Sequence, residues 1–84
     1  MKSGFEFENS GMKLVCLAFY SLDKRNVGLF RRESDGIYII ARNTSKEADG
    51  SYSWALGHYF KEWEEAEIDD KKRFEEMCQY TSRP

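Results

Sequence analysis

Apolar and polar positions alternate in short runs over the first sixty residues and then fall into a helical period, a pattern that predicts a sheet followed by helix. In Gly4-Phe5-Glu6-Phe7-Glu8 the Phe and Glu residues alternate, which predicts a half-buried edge strand. Asn9-Ser10-Gly11 supplies a turn. The run from Met12 to Tyr20 is apolar on both sides, with Met12, Leu14, Cys16, Ala18 and Tyr20 on one and Val15, Leu17 and Phe19 on the other. Such a run predicts a central strand covered twice; a buried helix is the alternative, but length and β-rich content favour the strand.

After the turn at Leu22–Asn26, Val27–Arg32 and Ile37–Arg42 read as two strands joined through Ser34-Asp35-Gly36. Asp-Gly between β-rich runs is a strong hairpin signal, because the turn asks for positive φ, which Gly adopts freely and Asp more readily than most. Asn43 to Gly50 is polar and reads as a loop. Alternation resumes from Ser51, placing Tyr52, Trp54, Leu56, His58 and Phe60 on one face and the small Ser51, Ser53, Ala55 and Gly57 on the other.

From Glu62 the period changes. Trp63, Ala66, Phe74, Met77 and Cys78 share one stripe of a helix, whereas Ile68 falls well off it. That interruption counts against one unbroken helix, and Asp69-Asp70 could cap a separate final helix. Thr81–Pro84 reads as a frayed tail. The expectation is a single α+β domain over residues 1–84. It comprises an antiparallel sheet of four or five strands followed by one or two C-terminal helices packed on one face.

Six Phe, five Tyr and two Trp make that core feasible in 84 residues, since each large ring buries roughly 150–250 Å². The net charge of −2 argues against a general nucleic-acid binder. A lesser basic group, Lys24-Arg25 and Arg31-Arg32 near Phe30 and Tyr38, is too small to reverse that reading. No run of about 18 apolar residues predicts a membrane span, and Met1–Glu6 has no apolar signal region. Cys16 and Cys78 therefore read as reduced thiols of a cytoplasmic protein, packed as small hydrophobes.

His58 is the single histidine, and no recognised spacing joins it to a nucleophile, an orienting carboxylate or further metal ligands. Packing is its favoured role; the alternative is a small-ligand site or enzyme centre using His58 with Tyr59 and Trp54, and Cys78 nearby. No cofactor, metal or catalytic set is expected. Residues 62–70 hold six acids and no base. A solvated helix face is the plain explanation. The sharper one is a negative surface for a basic partner protein, with Glu64, Glu65, Glu67, Asp69 and Asp70 steering association and Trp63 as anchor.

The segment Ser51–Phe60 with the acidic helix and Phe74 resembles small uncharacterised proteins of Gram-positive bacteria and their mobile elements, in which a Trp-x-x-Gly-His-Tyr-Phe strand precedes a helix. The overall form is also similar to small acidic phage anti-CRISPR proteins, some of which present carboxylates where DNA phosphates would sit. That resemblance implies an inhibitor of a nucleic-acid enzyme, although a charge of −2 is low for a DNA mimic. The function expected is thus a non-catalytic interaction protein acting through the acidic helical face. A structural homodimer made by pairing the Gly4–Glu8 edge is a further alternative, so the chain is expected to be a monomer or a homodimer.

Overall fold

A computed structural model describes residues 1–54 and 56–81. In chain order the elements are β1 (Glu6–Asn9), β2 (Met12–Leu22), β3 (Arg25–Arg32), β4 (Tyr38–Arg42), β5 (Ser45–Lys46), β6 (Tyr52–Ser53), β7 (Leu56–Phe60) and α1 (Trp63–Thr81). Five strands form one antiparallel sheet in the order β1-β2-β3-β4-β7, and β5 and β6 pair as a separate two-stranded ribbon. The expected α+β architecture is therefore present, with one helix. Ser82–Pro84, most of the expected tail, lie outside the described residues.

Local chemistry sets the turns. Ser10 and Gly11 both take positive φ, 52° and 79°, as a two-residue turn requires when its twist must match the flanking strands. The β3–β4 hairpin forms as expected, pairing Phe30 with Ile39, but only Gly36 of the Asp-Gly pair has positive φ. Asp35 serves instead through its carboxylate, which accepts from Arg32 at 2.9 and 2.6 Å and from the Ile37 amide at 3.2 Å.

Simple alternation fails inside β2. The pairing with β3 shifts between Cys16 and Ala18, and this bulge inserts one residue and reverses the facing of the residues beyond it. Ala18 consequently joins Leu17 on one face, rather than Leu14 and Cys16 on the other. The sheet is covered on both sides. One face holds Phe7, Leu14, Cys16, Phe30, Ile39 and Ala41, with Phe19, Tyr52 and Trp54 packed against them. The other holds Val27, Leu29 and Ile40 beneath Ala66 and Met77 of α1.

The polar stretch after Arg42 is not a plain loop. Asn43 turns the chain at φ 56°, and the Asn26 side chain clamps the next residue, accepting from the Thr44 amide at 2.8 Å and donating to its carbonyl at 3.0 Å. The chain is thereby steered off the sheet into the β5–β6 ribbon. This detour divides the expected Ser51–Phe60 strand. Tyr52 and Trp54 pack on the ribbon-covered face, while Phe60 packs on the helix-covered one. Ala55 lies outside the described residues.

The most exacting contact lies under the ribbon. A Cβ built on Gly28 would press against Cζ of the fully buried Phe30, with Cε1 and Cε2 of the ring only 2.8 and 2.9 Å away. Gly28→Ala should therefore destabilise the domain by about 1–3 kcal/mol through overpacking. Urea unfolding will check this, and Gly28→Ala/Phe30→Leu should recover part of the loss. A neutral Gly28→Ala would mean that the ring has room to move.

Candidate functional site

The sheet places His58 on one face and Trp54 and Tyr59 on the other. His58 pairs with Ile40, whose side chain belongs to the helix-covered core, so His58 lies half-buried on that face. Tyr59 pairs with Ile39 of the opposite core and is 58% exposed. Trp54 stacks on Phe30 at 5.8 Å, over Gly57, where an added Cβ would meet its Nε1 at 2.7 Å. Trp54 and Tyr59 thus share the ribbon face, and the sheet separates both from His58. Cys16 is buried, which raises its thiol pKa, and its Sγ donates to the Ala18 carbonyl at 3.6 Å. Among the described residues no three His, Cys, Asp or Glu side chains are grouped to hold a metal ion, and no helix is long and apolar enough to cross a membrane.

The acidic stretch divides once the helix is continuous. Residues 66, 70 and 77 recur on one stripe, so Asp70 is carried into the helix–sheet interface, where it is 5% exposed. Its Oδ1 has no hydrogen-bond partner. Desolvation, aided by the neighbouring Asp69 charge, pushes its pKa up to about 6. Asp70 is thus not part of an outer acidic surface, and it does not cap a second helix. Asp69 is also withdrawn: its Oδ2 lies 3.5 Å from Nε of the largely buried Arg73, an attraction of charges without hydrogen-bond geometry. Arg73 in turn donates to Glu76 at 3.2 Å, and Arg42 of β4 approaches the same carboxylate at 3.9 Å.

What α1 offers to solvent is mixed. Glu64 and Glu65 remain exposed in its first turn, and Glu67 pairs with Lys71 at 3.5 Å. Trp63 is 43% exposed with its ring against Tyr38 at 5.4 Å. Ile68 is 70% exposed, with Glu64, Glu65, Lys71 and Lys72 as its helical neighbours. Two lysines thus interrupt the carboxylates.

The better-formed surface is one that the residue pattern alone left as a plain edge. β1 is one of the two edge strands of the sheet, β7 being the other. Its hairpin turns the bonding groups of Phe7 and Asn9 inward to β2, and the Cys16 amide donates to the Phe5 carbonyl at 2.8 Å. Alternation then directs the amides and carbonyls of Glu6 and Glu8 outward. Beside them runs an open groove of about 380 Å³, lined by Phe5–Glu8 on one side and Lys46 and Asp49–Tyr52 of the ribbon on the other. Tyr52 props the ribbon there: its ring meets Phe5 at 6.0 Å and Phe7 at 5.2 Å, both edge-on, and its carbonyl accepts from Asn9 Nδ2 at 2.8 Å. Phe5 stays 41% exposed at the mouth. A second depression of about 440 Å³, at Gly11–Lys13, Glu33 and Ser34, has no aromatic wall.

No family model, curated protein or solved structure matches this chain.

The buried carboxylate makes stability depend on pH in a defined direction. Folded Asp70 titrates at about 6, above its ordinary value of 3.8. Between these values the folded chain holds a proton that the unfolded chain has released, so stability falls as pH rises through that window. The cost is complete above pH 6 and amounts to about 3 kcal/mol for a rise from 3.8 to about 6. Asp70→Asn should therefore be more stable than the parent at pH 8 by up to that amount, with the difference vanishing near pH 4. Urea midpoints of both proteins across pH will show it; a pH-independent difference would remove Asp70 as its source.

Proposed function

We propose that this chain is a non-catalytic binding protein that holds an extended segment of a partner protein against the outer edge of β1. Strand addition to a free sheet edge supplies main-chain hydrogen bonds for affinity, and pockets for alternate side chains supply selectivity. The observation that carries the reading is the coincidence of outward-facing bonding groups at Glu6 and Glu8 with a groove of about 380 Å³ walled by Phe5 and Tyr52. The width of the groove is held by the ring contacts of Tyr52, so the ribbon acts as a fixed second wall.

A second reading keeps the outer face of α1 as the contact surface, supported by the exposure of Ile68 and Trp63 beside Glu64 and Glu65. In that reading Ile68 is the anchor and the carboxylates form a polar rim. Its acidity is weaker than the residue count suggested, because Asp69 and Asp70 are turned inward. This weakens the analogy with proteins that mimic DNA phosphates.

Two substitutions separate the readings. Glu6→Pro removes one outward amide while leaving the β1–β2 ladder bonds in place; Ile68→Asp changes only the helix crown. With folding verified by urea unfolding, proteins retained by the immobilised parent should be lost at least about ten-fold with Glu6→Pro and kept with Ile68→Asp. The reverse pattern would move the surface to the helix, and retention by both variants would dismiss both surfaces.

A further inference from the structure

We infer that the segment bound at the β1 edge alternates basic and apolar side chains, and that a second copy of this chain is kept off the same edge by like charge. The inference rests on the docking reading above and names the chemistry of its occupant.

An added strand bonds to the outward groups of Glu6 and Glu8. Side chains directly opposite one another in such a ladder lie on the same face of the sheet. The residue facing Phe7 therefore points toward the ribbon side, where Phe5 and Tyr52 wall the groove with apolar surface. The residues facing Glu6 and Glu8 point the other way. Among the described residues no element covers that face beside β1, since α1 packs on β2, β3, β4 and β7. There the incoming side chains meet two exposed carboxylates.

Those carboxylates are available. Glu8 pairs in register with Lys13 and Glu6 with Val15, yet among the described residues neither Glu6 nor Glu8 forms an ion pair. A strand reading basic, apolar, basic thus supplies two cross-strand charge pairs outside and one apolar contact inside. A second β1 supplies the opposite. In a continuous sheet its Glu6 and Glu8 must share the face of the first pair, so carboxylate stands against carboxylate, and like charges directly opposite destabilise a pair. Charged residues are a known guard on exposed edges. Here the guard is of one sign, so it repels a copy of itself and admits a strand of opposite charge.

The test uses three labelled peptides of equal length: one with a Lys-Val-Lys-Val-Lys centre, one with Glu-Val-Glu-Val-Glu, and one with the lysines of the first grouped together. Binding is followed by fluorescence anisotropy at low ionic strength and by amide shifts of the ¹⁵N-labelled protein. The alternating lysine peptide should bind about ten-fold or more tighter than the glutamate peptide, as exchanging two charge pairs from repulsive to attractive implies. It should also outbind the grouped one and shift the Glu6 and Glu8 amides most. Glu6→Lys/Glu8→Lys should reverse the preference. Equal binding of all three with shifts at Glu6 and Glu8 would overturn the charge pattern while leaving strand docking intact. Shifts elsewhere, or none, would overturn docking itself. Dimerisation of the parent with protection of the Glu6 and Glu8 amides would assign the edge to a second copy and overturn the proposal.

Discussion

Phe30 sits fully buried in the central strand, and the far edge of its ring covers Gly28 two residues earlier on the same face. Two other parts of the chain converge on that ring. Phe7 of β1 meets it edge-on at 4.8 Å, and Trp54, at the end of the ribbon, stacks on it at 5.8 Å. Edge-on and stacked aromatic pairs add about 0.5–1.5 kcal/mol each beyond area burial. The ribbon has only four residues in strand pairing, too few to stand alone. It keeps its position because its aromatic side chains dock on this site, and the groove beside β1 exists only while the ribbon is held.

The two faces of the sheet are built on different principles. The ribbon face is a close aromatic packing with little tolerance, whereas the helix face buries small and aliphatic side chains at its centre, with Tyr38 and Phe60 packed around them and an ionic flank. There Asp69, Arg73, Glu76 and Arg42 form a chain of charges that ties α1 to β4. Asp70, next to Asp69 in the chain, is buried with its Oδ1 lacking a hydrogen-bond partner. A buried carboxylate without partners is costly, and an 84-residue domain has little stability to spare. The cost is borne because Ala66 and Met77, on the same stripe, bury their surface only if the helix runs unbroken through position 70.

Much of this architecture was legible in the residue pattern. The Phe-Glu alternation marked β1 as an edge, the doubly apolar run marked β2 as internal, and Asp35-Gly36 marked the central hairpin. What escaped was set by contacts distant in sequence. The bulge at Leu17 depends on the register with β3, which no local alternation reports. The ribbon depends on Asn26 gripping Thr44 eighteen residues away. Ile68 suggested a broken helix because an apolar residue on the outer face looks like an error of phase; the stripe through Ala66 and Met77 overrides it. The acidic stretch was visible as charge, but the inward turn of Asp70 comes only with helix continuity. The candidate groove left no motif at all, since it forms between β1 and a ribbon whose existence was not evident.

The strand order also bears on how the domain forms. From β1 to β4 each strand lies beside its predecessor in the chain, joined by short turns. Only β7 closes against β4 across a longer excursion, the one that makes the ribbon. Contacts between near neighbours cost little chain entropy to close, whereas that last closure costs more. The meander is therefore suited to assemble first as a four-stranded template, with β7 and α1 annealing afterwards. On this route the aromatic floor is laid before its cover arrives, and for that interval the nascent sheet is open on both sides.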